Sequence, residues 1–206
     1  MKTIIKTKIK TKIKTVMLLT AICSILCSCQ HSPQKNYYYL SSTPVEQKEF
    51  KSSTENITNV IGIGPIEIAD YLNRSQIVYN QTDNTLNISE NNYWAEPLDK
   101  GIARIIALNL TQQNSNRSFT NFPWRSDTKP RYSIRVQVNS LTRAANQASI
   151  FATWELMDND TKTNLQRRNF IRTIPVESSA KDLAEAYSKL FAELAGEIDG
   201  ALRKVP

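Results

Sequence analysis

Two kinds of hydrophobic spacing alternate along this chain. From Tyr132 the spacing is two-fold: Tyr132, Ile134, Val136 and Val138 are apolar, while Ser133, Arg135, Gln137 and Asn139 between them are polar. That alternation predicts a strand with one buried face. Ala148, Ile150, Ala152, Trp154 and Leu156 repeat it. Asp158-Asn159-Asp160 then makes a turn, and Leu165 to Ile174 returns as a third strand of a β-meander. Two other stretches carry helical spacing. Leu98, Ile102, Ile105, Ile106 and Leu110 fall on one face, with Pro97 expected at the first helical position and Glu96 near the positive end of the dipole. Leu183, Tyr187, Leu190, Phe191, Leu194 and Ile198 line a second helix. Its other face carries Lys181, Glu185, Lys189, Glu193 and Glu197, Ser179 and Asp182 form its capping box, and it ends near Gly200.

Shorter runs fill the first half. Tyr37 to Leu40 is strand-like, its tyrosines read as strand and core with an aromatic contact at a membrane interface as the alternative, and 41–56 is a polar, Pro-containing segment read as a flexible loop. Ile57 to Ile68 is an extended apolar run interrupted at Gly62-Ile63-Gly64-Pro65, where a bend, a bulge or the close approach of another backbone is expected. Asp70 to Gln76 is a turn, and Gln76 to Asn80 and Thr85 to Ser89 are the arms of a hairpin. Phe119 to Trp124 is a short strand. Two helices set among several strands predict a single α+β domain: a mainly antiparallel sheet with both amphipathic helices packed on one face.

Residues 1–28 read as an export signal rather than fold. Lys2, Lys6, Lys8, Lys10, Lys12 and Lys14 precede the apolar run Val16 to Leu26, which is short for a bilayer-spanning helix. Leu26-Cys27-Ser28-Cys29 has the form of a bacterial lipobox: leucine three before, a small residue one before, then cysteine. Cys23 and Cys27 follow bulky Ile22 and Leu26 and fit less well. Cys29 is therefore expected to carry a diacylglycerol on sulfur and an acyl chain on its freed amine, more than the two anchors that stable attachment requires. Residues 29–36 form the lipidated tether and 37–206 the domain. Gln30 lacks the aspartate that holds lipoproteins at the inner membrane, so the periplasmic face of the outer membrane is expected.

Removing the signal changes the charge. The full chain carries 26 basic and 19 acidic residues, net +7; without the six signal lysines, 20 oppose 19. The basic character belongs to the signal, which removes the reason to expect a nucleic-acid partner.

Little in the domain resembles reaction chemistry. His31 is the sole histidine and lies in the tether, which argues against a histidine base, a triad or a zinc site in the domain. Gly62-Ile63-Gly64 does not continue as a phosphate-binding loop. Glu67, Asp70, Glu90 and Glu96 are read as turn, cap and surface residues. Arg167, Arg168 and Arg172 are read as a solvated strand face. No catalytic residue, metal ligand or cofactor is assigned beyond the acyl groups on Cys29.

The order lipobox, Tyr39-Leu40, Ile63-Gly64-Pro65-Ile66, Tyr71-Leu72-Asn73-Arg74-Ser75-Gln76-Ile77-Val78, Tyr93-Trp94-Ala95-Glu96-Pro97-Leu98 resembles the ABC-type transport auxiliary lipoproteins of the PqiC/YmbA type. Ala69, Asn73 and Ser75 depart from that family's usual Pro, Asp and Pro. The resemblance implies an outer-membrane lipoprotein that serves an MCE-type lipid transport system. Its expected partners are a periplasmic MCE-domain protein and that protein's inner-membrane component, with self-association into a ring also compatible. The expected mode is docking, not catalysis; the alternative is a lipid carrier with its own apolar cavity. Tyr71, Arg74 and Trp94 are the residues expected at the partner surface.

Overall fold

The computed structural model describes residues 33–42, 60–80, 84–113 and 117–204, and from Lys35 onward they belong to one compact unit. In chain order the elements are β1 (Asn36–Tyr38), β2 (Val60–Ile68), β3 (Gln76–Asn80), β4 (Leu86–Trp94), α1 (Leu98–Gln113), β5 (Ser118–Asn121), β6 (Tyr132–Ala144), β7 (Gln147–Asp158), β8 (Thr163–Pro175) and α2 (Ala180–Leu202). Single 3-10 turns lie at Asp70–Leu72 and Ser126–Thr128. The α+β class follows the expectation. Most of the loop 41–56 and the lipobox lie outside the described residues.

The meander forms as its alternation requires. β6 pairs antiparallel with β7 from Tyr132↔Asp158 to Ala144↔Gln147, and β7 with β8 from Gln147↔Pro175 to Asp158↔Thr163. On the other edge of β6 the ladder is parallel. β2 runs beside it from Ile61↔Tyr132 to Ile68↔Val138, and β5 lies parallel outside β2. The sheet order is β5-β2-β6-β7-β8, and a separate three-stranded sheet has the order β1-β4-β3. There β3 is antiparallel to β4, while β1 joins the other edge parallel, with Tyr37↔Tyr93. The sheets are thus two and mixed. Alternation reports which side of a strand is buried, not who its neighbour is or which way it runs, so the parallel pairings were not legible.

Both helices pack on one face of the five-stranded sheet and against each other, α1 over β2 and β5, α2 over β7 and β8. Ile102, Ile105, Ile106 and Leu110 of α1, with Leu190, Phe191, Leu194 and Ile198 of α2, are fully buried. They meet the inner positions Ile134, Val138, Ile150, Ala152 and Trp154. Each large apolar side chain contributes about 1.5–3 kcal/mol of burial free energy. Trp154 also spends its one polar atom: Nε1 donates to Glu197 Oε1 at 3.1 Å.

The element ends show the local chemistry. The α2 capping box forms as expected, with the Asp182 amide donating to Ser179 Oγ at 3.1 Å and the Ser179 amide to Asp182 Oδ2 at 3.2 Å. At α1 the Gly101 amide donates to the Pro97 carbonyl at 3.0 Å, so Pro97 is the N-cap, one residue earlier in the helix frame than expected. β4 runs five residues beyond Ser89, because Asn92 to Trp94 have β1 as a partner. β5 stops at Asn121, leaving Phe122 to Trp124 outside the strand.

At the β7–β8 turn, Asp158 Oδ1 accepts from the Asp160 amide at 2.9 Å and the Thr161 amide at 3.2 Å. The Thr161 amide, then the Asp160 amide and Arg131, hold its carboxyl below the usual 3.8 against an opposing effect of burial. The unfolded chain then binds more protons than the folded one as pH falls past 3.8. The turn's contribution is present above that value and is lost on acidification. Urea midpoints measured from neutral pH downward are expected to fall less steeply in Asp158→Asn than in the natural chain.

Candidate functional site

The stretch from Val60 to Leu110 gathers the family-like residues, and the structure gives each a mechanical task. On β2, Ile61 and Ile63 point into the core. A Cβ on Gly62 would lie 2.4 Å from Trp124 Cζ2 and 2.7 Å from Pro130 Cγ. The interruption expected from sequence takes the form of a register shift against β6 between Ile63 and Ile66, and the space at Gly62 is filled by side chains rather than by another backbone. Trp124 Nε1 donates to the Thr120 carbonyl at 3.2 Å, and the ring meets Phe122 edge-on at 5.2 Å. Gly64 has φ +115°, and Phe122 Cβ lies 2.7 Å from where its Cβ would be. Only glycine accepts both that conformation and that approach.

Around the Asp70–Leu72 turn, Leu72 is buried and Arg74 Nε donates to the Tyr71 carbonyl at 3.0 Å. Arg74 is exposed. Tyr71 is half-buried, and its hydroxyl accepts from the Leu141 amide at 3.4 Å. Trp94 is placed differently from the partner surface expected of it. Its ring is 7% exposed and packs 6.4 Å from the ring of Tyr187, while its amide donates to the Ser75 carbonyl at 2.7 Å. A large aromatic at the end of a strand reads equally as anchor or contact in sequence; here β1 and α2 close over it. Tyr187 is itself so enclosed that burial raises its phenol well above the ordinary tyrosine range.

Glu96 and Arg104 form the strongest polar node here. Arg104 Nε donates to Glu96 Oε1 at 3.0 Å, Nη2 forms a short ion pair with the same carboxylate, and Nη2 donates to the Leu40 carbonyl at 2.8 Å. Gly101 makes room: a Cβ there would lie 3.3 Å from Glu96 Oε1. One arginine thus ties the chain after β1, the Trp94–Leu98 corner and α1. Arg104 carried no signal in sequence, because its partner lies eight residues away and its second acceptor is a backbone carbonyl.

The carboxylates do not converge on a reactive centre. Glu96 is held by Arg104, and Glu67 lines an open 180 Å³ cleft with Pro65, Arg135 and Arg167 on the uncovered sheet face. Arg167 pairs with Glu155 at 3.4 Å and Arg172 with Glu193 at 3.6 Å. Among the described residues no group of three or more His, Cys, Asp or Glu is placed to hold a metal ion. A second cleft, of 330 Å³, opens between Gly64-Pro65, Phe122 and the first turns of α1. Cys29 and His31 lie outside the described residues.

Comparison with known proteins agrees with this framework. The model of the family described as ABC-type transport auxiliary lipoprotein component matches residues 38–199. The intermembrane transport lipoprotein PqiC of Escherichia coli K12 is 33% identical over 79 residues, 38% of this chain and 41% of the relative. The chain thus aligns with under half the length of that relative, and a Shigella flexneri PqiC gives the same match. Among solved structures, the crystal structure of an uncharacterized protein matches with TM-score 0.67 and 19% identity, covering 82% of this chain and 99% of the other. A Xanthomonas campestris protein matches at 0.63 and 14% identity, covering 81% and 94%. These two likenesses establish the fold.

Replacing Arg104 with methionine keeps the aliphatic stem and removes the bonds it donates to Glu96 and to Leu40. Charge-assisted bonds of this kind contribute about 1.5–3 kcal/mol, so R104M is expected to lose about 2 kcal/mol in chemical unfolding. R74M, which loses one exposed bond, is expected to stay within about 0.5 kcal/mol of the natural chain.

Proposed function

This chain belongs to the ABC-type transport auxiliary lipoprotein family, and from that premise we propose that it is a non-enzymatic docking subunit, anchored by Cys29 at the periplasmic face of the outer membrane. Its partner is the periplasmic MCE-domain protein of an intermembrane lipid transport system, joined to an inner-membrane component, and its role is to support envelope integrity. The observation that carries the reading is the task of the motif residues. Gly64, Leu72, Trp94, Glu96 and Pro97 shape or tie the framework, and none meets the others as a reacting group. A subunit that acts by holding a partner needs a rigid body and an anchor, and the lipobox supplies the second. The name of PqiC, intermembrane transport lipoprotein, supports the transport setting.

Arg74 and Tyr71 are the partner-surface residues in this reading. Arg74 is exposed yet oriented by its own bond to Tyr71, so its guanidinium offers free donors at little further entropic cost. Trp94 acts behind them, through the core.

The carrier alternative needs an apolar chamber within the domain. The inward faces of α1, α2, β6 and β7 instead fill one another. The clefts on the described surface are open and lined in part by charged side chains such as Glu67, Arg135, Asp99 and Lys100. Docking is therefore favoured over carriage.

Affinity capture of the natural lipoprotein from crosslinked cells is expected to recover an MCE-domain protein. Arg74→Glu is expected to reduce that recovery several-fold without shifting the thermal midpoint. Failure of the natural chain to recover any MCE-domain protein would overturn the docking reading; phospholipid retained in the acyl-free domain would instead favour carriage.

A further inference from the structure

The three-stranded sheet carries an aromatic surface that neither core packing nor docking uses. Tyr37 and Tyr39 are 62% and 61% exposed. Tyr37 is the register partner of Tyr93 on β4, and their rings lie 5.7 Å apart. The residues beside them, Tyr38 and Trp94, pack against the core, so Tyr37 and Tyr93 must occupy the outward face of that sheet. Cations flank the rings. Lys35 Nζ lies 5.3 Å from the Tyr93 ring and the Arg104 guanidinium 6.0 Å from that of Tyr39. The acids nearby are Glu96, neutralised by Arg104, and Glu90, whose carbonyl accepts from the Tyr93 hydroxyl at 2.9 Å.

We infer that this face, formed by Tyr37, Tyr39, Tyr93 and Lys35, rests on the headgroup layer of the leaflet that holds the anchor. The inference deepens the proposed function and rests on lipidation of Cys29. Eight residue steps separate Cys29 from Tyr37, a reach of about 29 Å even when fully extended. Any slack in the tether brings β1 closer still. The residues nearest the anchor are thus the ones that must be compatible with a lipid surface. Tyrosine suits that place, because its ring is apolar and its hydroxyl stays with the headgroups. Lysine adds attraction to anionic lipid. Tyr37 and Tyr39 leave more than half of their surface outside the contacts the domain gives them. Phe151 and Ile171 are also exposed and apolar, but they lie on the sheet face away from the helices.

The test uses the full lipidated chain in vesicles of phosphatidylethanolamine and phosphatidylglycerol. With Cys29 acylated, an introduced cysteine is the sole free thiol of the mature chain. An environment-sensitive fluorophore is attached in Tyr37→Cys, Tyr93→Cys, Lys35→Cys and, as the distant control, Ile171→Cys. Headgroup spin-labelled lipid is expected to quench the first three several-fold more than the control. Adding Tyr37→Ser and Tyr39→Ser to Tyr93→Cys is expected to abolish the difference while circular dichroism stays unchanged. Equal quenching at all four positions, with mass spectrometry confirming the acyl groups, overturns the inference and leaves the anchor standing. Mass spectrometry that finds no acyl group on Cys29 of the natural chain, with that chain staying off the vesicles, overturns the anchor and this inference together.

Discussion

The five-stranded sheet has one covered face, and the width of that cover decides where every other element can go. Five strands spaced about 4.8 Å apart span roughly 19 Å between the outer two. Two helices side by side, each about 10 Å across, span roughly 20 Å. The apolar stripes of α1 and α2 are therefore used up on the inner face of this sheet and on each other. No third helix is needed, and the hairpin β3–β4 has no room beneath them. It forms its own small sheet and reaches the core through Ile77 of β3, which is buried with it, and through its end residue Trp94, which touches Tyr187 of α2. Among the described residues no helix covers the other face of the large sheet, and its side chains are chiefly polar: Arg135, Gln137, Glu155 and Arg167.

This geometry accounts for the motif residues. Beside the apolar anchors Ile77 and Trp94, polar links fix the angle of the small sheet to the large layer. Those links are short and directional. The Ala95 amide donates to the Tyr38 carbonyl at 2.7 Å, the Ser41 amide to Ser188 Oγ at 3.1 Å, and Arg104 to both Glu96 and Leu40. Glutamate beside arginine near an aromatic invites an active-site reading. Here the carboxylate has a full-time cationic partner, which is the condition for structure and a poor one for proton transfer.

How much of this was legible follows from the range of each signal. The meander, both helices and the α2 capping box were readable because their determinants lie within a few residues of one another: Ile134 with Val136, Ser179 with Asp182. The class followed from counting such elements. The parallel placement of β2 was not readable, since Ile61 meets Tyr132 only after β3, β4, α1 and β5 have intervened. The glycines announced an interruption of the strand, which is the register shift after Ile63, but not the side chains packed on them, because Trp124 and Phe122 arrive from a segment beyond α1. At the candidate site, Arg74 sits where an exposed turn should place it, whereas Trp94 does not. Whether a terminal aromatic is covered depends on elements elsewhere in the chain, here β1 and α2.

The entry of the chain at β1 shows which interactions hold when the tether is pulled. β1 adds only three residues to the edge of β4, and backbone bonds of this kind contribute about 0.5–1.5 kcal/mol each. By itself such a strand would peel. Directly after it, Leu40 is fully buried, worth about 2 kcal/mol. Its carbonyl also takes a charge-assisted bond from Arg104, worth about 1.5–3 kcal/mol. These two contributions match or exceed the ladder, and they act two residues past the end of the strand. In the proposed arrangement, a force on Cys29 therefore passes through β1 to Leu40 and from there to α1. The tie between Arg104 and Leu40 makes the short strand a fixed point rather than a frayed end, and a docking subunit held by a tether needs its attachment to be at least as firm as its grip.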